Sequence, residues 1–341
     1  MSLKRKIKHW VISNQLRNNL LKLIVNFNNH NGAKLYNKTN DLFSWHLYKN
    51  KIKPYLFHPI IDNNFYGIGT SLNSYAGLKA DKLIKFYIEH GYYFGSYIAK
   101  DSKIYWCNNI ITFSQRRKDH LKRHSFNKIY QIGPYIHYAE QYSSNSEFNN
   151  YRSDLGKMLL VFPMHASTGT SLDYNLNLFF DFIDEIKKDY DSVVISVFWT
   201  DLNNKQFMSE CQKREYRIFS AGNRYDQFFL SRLKDIINLS TMTISNGVGT
   251  HVIYSVFLNK AHYIFKQKIN EIALNKKGDF ELNIYKKDEY VIRKKEMSEL
   301  EDLFSVVFSE ALTSKQYNYC RVSFGFDKIK SPSELLKLLN E

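Results

Sequence analysis

The chain has 341 residues, which is long for one hydrophobic core and favours two domains. Apolar side chains make up 44% of it, which suffices for buried cores and excludes a wholly disordered chain. Its formal charge of +15 is uneven, because residues 1–140 hold 22 Lys and Arg against 7 Asp and Glu, whereas residues 141–341 hold 26 of each.

The uneven charge indicates different partners for the two halves. A basic half suits an anionic membrane, an anionic polymer or nucleic acid. Three cysteines lie far apart without metal-ligand spacing, which predicts free thiols in a reducing compartment. No run of about 18 apolar residues and no signal core are present, so we expect a cytoplasmic protein without a transmembrane helix.

The first predicted element is a basic amphipathic helix at the N-terminus. Residues 4–10 read KRKIKHW, and apolar residues follow at helical spacing from Leu16 to Phe27. This pattern fits a helix lying on a membrane surface, and it fits equally a helix that packs its apolar stripe on the domain.

Short β-like runs alternate with polar or helical stretches in the rest of the first half. Strands are predicted at residues 85–88, 110–113 and 128–132, with a basic helical stretch reaching residue 124. Strand, turn, helix and strand is the rhythm of a parallel sheet. The Ser- and Asn-rich stretch 141–154 then has the composition of a linker.

The second half repeats this rhythm more clearly. Five predicted strands alternate with helices between residues 158 and 265, which favours a doubly wound domain. The predicted strands cover residues 158–162, 192–199, 216–220, 241–245 and 262–265. We therefore predict an α/β protein of two Rossmann-like domains facing a cleft, with boundaries 1–145 and 155–265, and a mostly helical tail, 266–341, that packs back on them.

The carboxyl ends of these strands hold the candidate binding residues. The best phosphate site follows the fourth strand of the second half, where two glycines separate a strand from a helix start that favours anions. It comprises Ser245, Asn246, Gly247, Gly249, Thr250 and His251. Small residues at a plain strand-to-helix turn are the alternative explanation.

Four further residues are candidates. Arg224 could neutralise a diphosphate, or it could pair with Asp226 on the surface. His165 could hydrogen-bond a phosphate of a bound ligand, or it could be a histidine that only caps or packs. In the first half, Glu89 and His90 end a strand and are candidates for the catalytic base that deprotonates an acceptor hydroxyl, with a solvated loop pair as the alternative.

Four segments carry a resemblance to a known family: ISNGVGTHVIYSVFLNKAHYIF (244–265), AGNRYDQFFLSRL (221–233), LLVFPMHAS (159–167) and GPYIHYAE (133–140). They resemble GT-B-type glycosyltransferases of bacterial capsule and O-antigen gene clusters, over roughly residues 84–265. The resemblance implies a nucleotide-sugar donor held by the second domain and a glycan or lipid-linked acceptor held by the first.

The resemblance also implies roles for residues. Asn246, Gly249, Thr250 and His251 would line the donor phosphates, and Arg224 would assist them. The Glu-x₇-Glu motif of many retaining GT-B enzymes is not evident in the donor domain, and no Asp-x-Asp motif stands at the expected site, so inverting, metal-independent transfer without a cofactor is expected. The basic half would hold the enzyme on the inner face of an anionic membrane.

Three other functions stay open at this point. A polyol-phosphate or sugar-phosphate transferase would use the same cleft with a CDP-linked donor. A nucleic-acid-binding protein would explain the basic half, but no recognised binding motif supports it, so nucleic acid is not the expected partner. A catalytically silent assembly partner would explain the missing acidic motif.

Overall fold

The computed structural model describes most of the chain. The described residues are five single positions (7, 10, 16, 17 and 20) and the ranges 41–49, 64–98, 109–166, 169–224, 226–275 and 288–341. The predicted N-terminal helix therefore lies almost entirely outside the described residues. Within the described part of the chain, no helix is long and apolar enough to cross a bilayer.

A three-stranded parallel sheet forms the centre of the first half. Its strands β1 (Tyr87–Ile88), β2 (Asn109–Thr112) and β3 (Lys128–Gln131) pair in that order. Helix α1 (Ile68–Tyr75) precedes the sheet, and α2 (Gln115–Leu121) connects β2 to β3. Each strand overlaps one of the three predicted segments, so the βαβ rhythm is confirmed.

The stretch with a linker-like composition contains helix α3 (Asn145–Leu155). Ser144 and Glu147 form a capping box at its start, which satisfies two backbone N–H groups that the first turn leaves unpaired. The Asp235 carboxylate accepts backbone N–H bonds just before the helix, so this stretch is fixed against the second half.

Six further strands follow along the chain: β4 (Met158–Phe162), β5 (Thr170–Asp173), β6 (Ser192–Ser196), β7 (Arg217–Phe219), β8 (Met242–Ser245) and β9 (Ala261–Ile264). All except β5 form one parallel sheet in the spatial order β7-β6-β4-β8-β9. This is the 3-2-1-4-5 order of a doubly wound fold. The predicted α/β class with parallel sheets is confirmed.

Four helices lie between these strands: α4 (Leu176–Ile186), α5 (Lys205–Lys213), α6 (Phe229–Leu239) and α7 (Thr250–Phe257). Asn175 and Asn204 cap the first two, each accepting a backbone N–H from the first turn. Strand β4 is buried along its whole length, as expected for a continuous apolar run in a central parallel strand.

A two-stranded antiparallel ribbon was not predicted from the sequence. Strand β10 (Asn270–Ala273) pairs with β5, and the Thr170 hydroxyl donates to the Glu271 carboxylate across the ribbon at 2.9 Å. Its two strands lie far apart in the chain and only one of their eight residues is buried, so neither carries a strong apolar signal.

The tail is mostly helical: α8 (Asp288–Phe304), α9 (Ser314–Phe324) and α10 (Pro332–Leu339). Phe324 packs edge-on against Tyr92 with ring centroids 4.7 Å apart. The Glu296 carboxylate accepts a hydrogen bond from the Gly95 N–H at 2.8 Å. The tail therefore contacts the first half directly.

One hydrophobic core contains side chains from both sheets and from the tail. Phe113 of the first half and Tyr254 of the second stack with centroids 6.2 Å apart. Cys211 and Cys320 are buried free thiols, and Cys107 lies outside the described residues. The two halves thus meet over an apolar interface beside the carboxyl ends of the larger sheet's strands.

Candidate active site

A cavity of about 380 Å³ opens at the carboxyl edge of the larger sheet. The strand order reverses between β4 and β8, and open α/β sheets bind ligands in the crevice outside such a switch point. Segment 90–93 of the first half lines one side of the cavity, and segments 162–165 and 248–251 of the second half line the other.

The cavity wall is mostly aromatic and aliphatic. Its nitrogen-containing side chains are three histidines, His90, His165 and His251, and its hydroxyls belong to Ser196, Thr250 and four tyrosines. Among the described residues, no Lys, Arg, Asp or Glu lines it. The wall therefore offers surface for a planar ring and neutral polar groups, but no fixed ionic charge.

Hydrogen bonds and packing fix the loop after β8 through residues of its own that do not line the cavity. The Ser245 hydroxyl donates to the Gly247 carbonyl at 2.7 Å and lies 3.0 Å from Nε2 of buried His262. Asn246 Oδ1 accepts the Met164 N–H at 2.7 Å, and a Cβ on Gly247 would lie 2.6 Å from Met164 Cγ. Ser245, Asn246 and Gly247 thus fasten this loop to the loop after β4, and none of them lines the cavity.

The start of α7 faces the cavity. Gly249 is its N-cap, and Gly249, Thr250 and His251 all line the wall. Thr250 Oγ1 accepts the Tyr92 N–H at 3.1 Å, and a Cβ on Gly91 would lie 2.9 Å from the same oxygen. The Thr250 hydroxyl therefore joins the two halves, and the amides of the first turn lie beside it as potential donors to an anion.

His251 packs its ring over Phe162, with centroids 5.0 Å apart and an angle of 19° between the ring planes. A Cβ on Gly249 would come within 2.8 Å of its Nδ1, so glycine leaves room for the imidazole. Its Nε2 is buried and has no hydrogen-bond partner in the described part of the chain. Burial, with a smaller contribution from His165, lowers the pKa of His251 to about 3.

His90 lies on the opposite side of the cavity. The Tyr93 hydroxyl is 2.5 Å from its Nε2, and the rings of Phe65 and Tyr66 lie beside it at 5.1 and 6.0 Å. Burial, followed by the positive charge of Arg224, lowers the pKa of His90 to about 3. The imidazole is therefore neutral near pH 7.

Glu89 does not line the cavity, although it precedes His90 in sequence. Its Oε1 lies 2.5 Å from Arg117 Nη2 and 2.9 Å from Nε, while its Oε2 accepts the Thr112 hydroxyl at 2.6 Å. Both charged side chains are buried. This geometry corrects the sequence-based role of Glu89, because the carboxylate is bound within the protein and does not face an acceptor.

His165 lies at the mouth of the cavity and is exposed. Its ring stacks on Phe198, which follows β6, with centroids 3.8 Å apart and planes 12° apart. The ends of β4 and β6 thus present a flat aromatic surface at the cavity entrance.

Arg224 lies close to the site but does not line the cavity. Its carbonyl accepts the Tyr66 N–H at 2.7 Å, and its guanidinium lies 4.6 Å from the centroid of the Phe65 ring. The alternative pairing with Asp226 is not found, because the Asp226 carboxylate pairs with buried Arg232.

Three aromatic residues of the cavity wall and one carboxylate near it received no role from the sequence. Tyr93, Tyr66 and Phe198 line the cavity, and single aromatic residues in an aromatic-rich chain gave no signal. Asp201 follows β6 near this edge, and burial raises its pKa to about 6. Its position at a strand end was the available signal.

No protein-family model matches the chain. A search of curated proteins finds no match. Solved structures do resemble it. UDP-GlcNAc 2-epimerase from Methanocaldococcus jannaschii is 12% identical, with a TM-score of 0.36 over 69% of this chain and 62% of that one.

Two plant proteins are also similar. UGT71G1 from Medicago truncatula, complexed with UDP-glucose, is 12% identical with a TM-score of 0.33 over 79% of this chain and 68% of that one. A UGT transferase from Siraitia grosvenorii in complex with UDP is 10% identical with a TM-score of 0.28, over 70% and 52%. The chain spans less than two thirds of the epimerase and of the Siraitia protein. Likeness of this strength leaves the activity to be argued from the chain's own site.

Proposed function

We propose that this chain is a GT-B-like glycosyltransferase that moves a sugar from a nucleotide-sugar donor to a glycan or lipid-linked acceptor. One observation carries the proposal: at the switch point of the larger sheet, the start of α7 and the segment 90–93 line one cavity, and Thr250 and Tyr92 join them by a hydrogen bond. A donor phosphate and an acceptor hydroxyl would meet between them.

The second half has the features that a nucleotide requires. The first-turn amides of α7 suit a diphosphate, since unpaired N–H groups and the helix dipole both favour an anion. The flat surface formed by His165 and Phe198 suits a stacked base. Gly249 leaves room for the His251 imidazole beside these amides.

The first half supplies the candidate base. In an inverting transfer, the acceptor oxygen attacks the anomeric carbon, the bond from that carbon to the phosphate oxygen breaks, and the nucleoside diphosphate leaves toward α7. His90 takes the acceptor proton, and the Tyr93 hydroxyl holds its ring. The first-turn amides of α7 would help to stabilise the leaving group, and the transfer is proposed to be metal-independent.

The proposal extends to the organisation of the chain. Residues 1–145 would hold the acceptor and 155–265 the donor, with the tail 266–341 joining them. The 22 basic residues of the first 140 suit a position at the inner face of an anionic membrane, where lipid-linked acceptors of surface polysaccharides are extended.

Thermal unfolding in the presence of nucleotides and nucleotide sugars tests this function. A ligand at 100 times its Kd stabilises the folded state by about 2.7 kcal/mol and raises Tm. We expect a shift with one nucleotide family, lost in Thr250→Ala and kept in His137→Ala, because His137 bonds Tyr75 outside the cavity.

The panel includes CMP, CDP, UDP and GDP with their sugar conjugates and CDP-linked polyols. A shift confined to CDP-polyols would favour the polyol-phosphate transferase instead. If folded protein shifts with none of them, the donor site is refuted.

A further inference from the structure

The described wall of the proposed donor cavity has no charged side chain to balance the charge of the donor. A nucleoside diphosphate sugar brings two negative charges, yet no described Lys, Arg, Asp or Glu lines the cavity. The helix start supplies only partial positive charge, equivalent to roughly half an elementary charge. Burying two anionic phosphates against neutral walls is unfavourable unless further positive charge accompanies them.

Three imidazoles line this cavity and could supply that charge. His251 directly follows the first residue of α7, so it lies at the place where a phosphate would bind, and its Nε2 is buried without a partner. His165 lies at the mouth on Phe198, and His90 lies on the far side with Tyr93. A protonated imidazole at any of these positions would add a donor and a full positive charge.

We propose that the cavity takes up a proton when the diphosphate of the donor binds, with His251 as the principal acceptor of that proton. This inference rests on the proposed function, since it concerns the same donor site. The structure gives His251 this role because its free nitrogen, its burial and its position beside the first-turn amides coincide.

Before the ligand binds, the imidazole is neutral. Burial lowers the pKa of His251 and of His90 to about 3. An adjacent diphosphate opposes this effect, because an opposite charge within a few ångströms favours the protonated form. The pKa of His251 therefore rises on binding, and the resulting proton uptake couples affinity to pH.

Other groups around the cavity also affect this titration. Arg224 acts on His90, and His165 and His262 lie near His251. Arg293 lines an adjoining pocket together with Gly249 and Thr250, so it also acts on a phosphate at the start of α7. Tyr93 and Tyr66 face His90, but burial raises the pKa of the Tyr93 hydroxyl well above its usual value. Asp201 needs a control, since its raised pKa of about 6 lies within the measurable range.

The sign of the pH dependence follows from the raised pKa in the complex. The free protein has a pKa near 3 at His251, and the complex has a higher one. Affinity is therefore greatest at low pH, falls as pH rises toward the pKa of the complex, and is constant above it. One linked proton gives a fall of up to about tenfold in affinity per pH unit.

Calorimetry measures the proton directly. The probe is UDP-glucose, or the sugar conjugate of whichever nucleotide the thermal panel selects, because its phosphates carry no proton that titrates near neutral pH. Binding enthalpies at one pH in PIPES and in Tris buffer differ by the number of protons taken up multiplied by the difference between the ionisation enthalpies of the two buffers. We expect uptake for the sugar conjugate and none for the neutral nucleoside.

Matched variants locate the proton. His251→Gln keeps an N–H donor but cannot be protonated, so we expect it to bind with reduced proton uptake and a flatter pH profile. His137→Gln is the control outside the cavity and should behave as the unaltered protein. Asp201→Asn should keep the uptake.

The outcomes separate the two proposals. Binding of a nucleotide sugar without proton uptake overturns this inference and leaves the proposed function intact. Uptake that persists in His251→Gln but disappears in Asp201→Asn also overturns it. If no conjugate binds at all, the proposed function fails, and this inference fails with it.

Discussion

The segments that follow β1 and β8 both contribute residues to the cavity wall, 90–93 and 248–251, and they have a similar layout. Different interactions anchor them. In each, the residue at the strand end is bound by the protein interior, Glu89 in one and Ser245 in the other. The residues further along, beginning with His90 and Val248, line the cavity. The first segment is anchored by a buried ion pair, whereas the second is anchored by hydrogen bonds between neutral groups.

This difference predicts how much stability the protein loses when each anchor is substituted. Removing one member of a buried ion pair leaves an uncompensated charge, which costs far more than losing a neutral hydrogen bond. Arg117 also donates to the Tyr97 carbonyl at 2.6 Å, so the first anchor fixes the loop that follows the cavity segment. The segment after β8 should therefore tolerate substitution better than the segment after β1.

The largest expected effect comes from the ion pair. Glu89→Gln leaves Arg117 charged and buried, so the free energy of unfolding should fall by about 3–5 kcal/mol in urea denaturation. Glu299→Gln is the control, because Glu299 pairs with Arg116 at the surface, where such a pair contributes about 1 kcal/mol or less.

A double variant keeps this prediction testable if the single variant does not fold. Glu89→Leu with Arg117→Met removes both charges and should recover much of the lost stability. If Glu89→Gln instead retained full stability and lost sugar transfer, the carboxylate would regain its role as the base.

A smaller effect is expected at the neutral anchor. In Gly247→Ala the new Cβ would meet Met164 Cγ at 2.6 Å, and the crowding should lower the free energy of unfolding by about 1–3 kcal/mol. The same substitution in a Met164→Ala background should cost much less, since the obstructing side chain is gone. A full cost in both backgrounds would show that the backbone, and not Met164, requires glycine.

The smallest effect is expected where the two segments touch. Thr250→Val removes the acceptor of the Tyr92 N–H and should lower the free energy of unfolding by about 1 kcal/mol. Thr200→Val is the control, because its hydroxyl contacts only the exposed side of Asp201 and should change stability by about 0.5 kcal/mol or less. Equal costs for the two variants would mean that the contact between the halves contributes nothing.

The sequence alone predicted the strands and helices of the larger sheet to within a few residues. Buried parallel strands such as β4 are continuous apolar runs, and the polar turns between them are equally visible. The prediction that ligand-binding residues follow β8 also rests on local pattern, since glycines between a strand and a helix are recognisable without a structure. The ribbon of β5 and β10 had no such signal.

Only the tertiary structure decided which candidate residues face the cavity. Glu89 and His90 are neighbours in sequence, but Arg117 reaches Glu89 from α2 and binds it in the interior. Ser245 is turned away because His262 lies behind it. The periodicity of a sequence shows which residues are apolar, but the partner of a buried polar group comes from an element that is distant in the chain. Leaving a buried polar group unpaired costs free energy, so the position of that partner decides which way the polar side chain points.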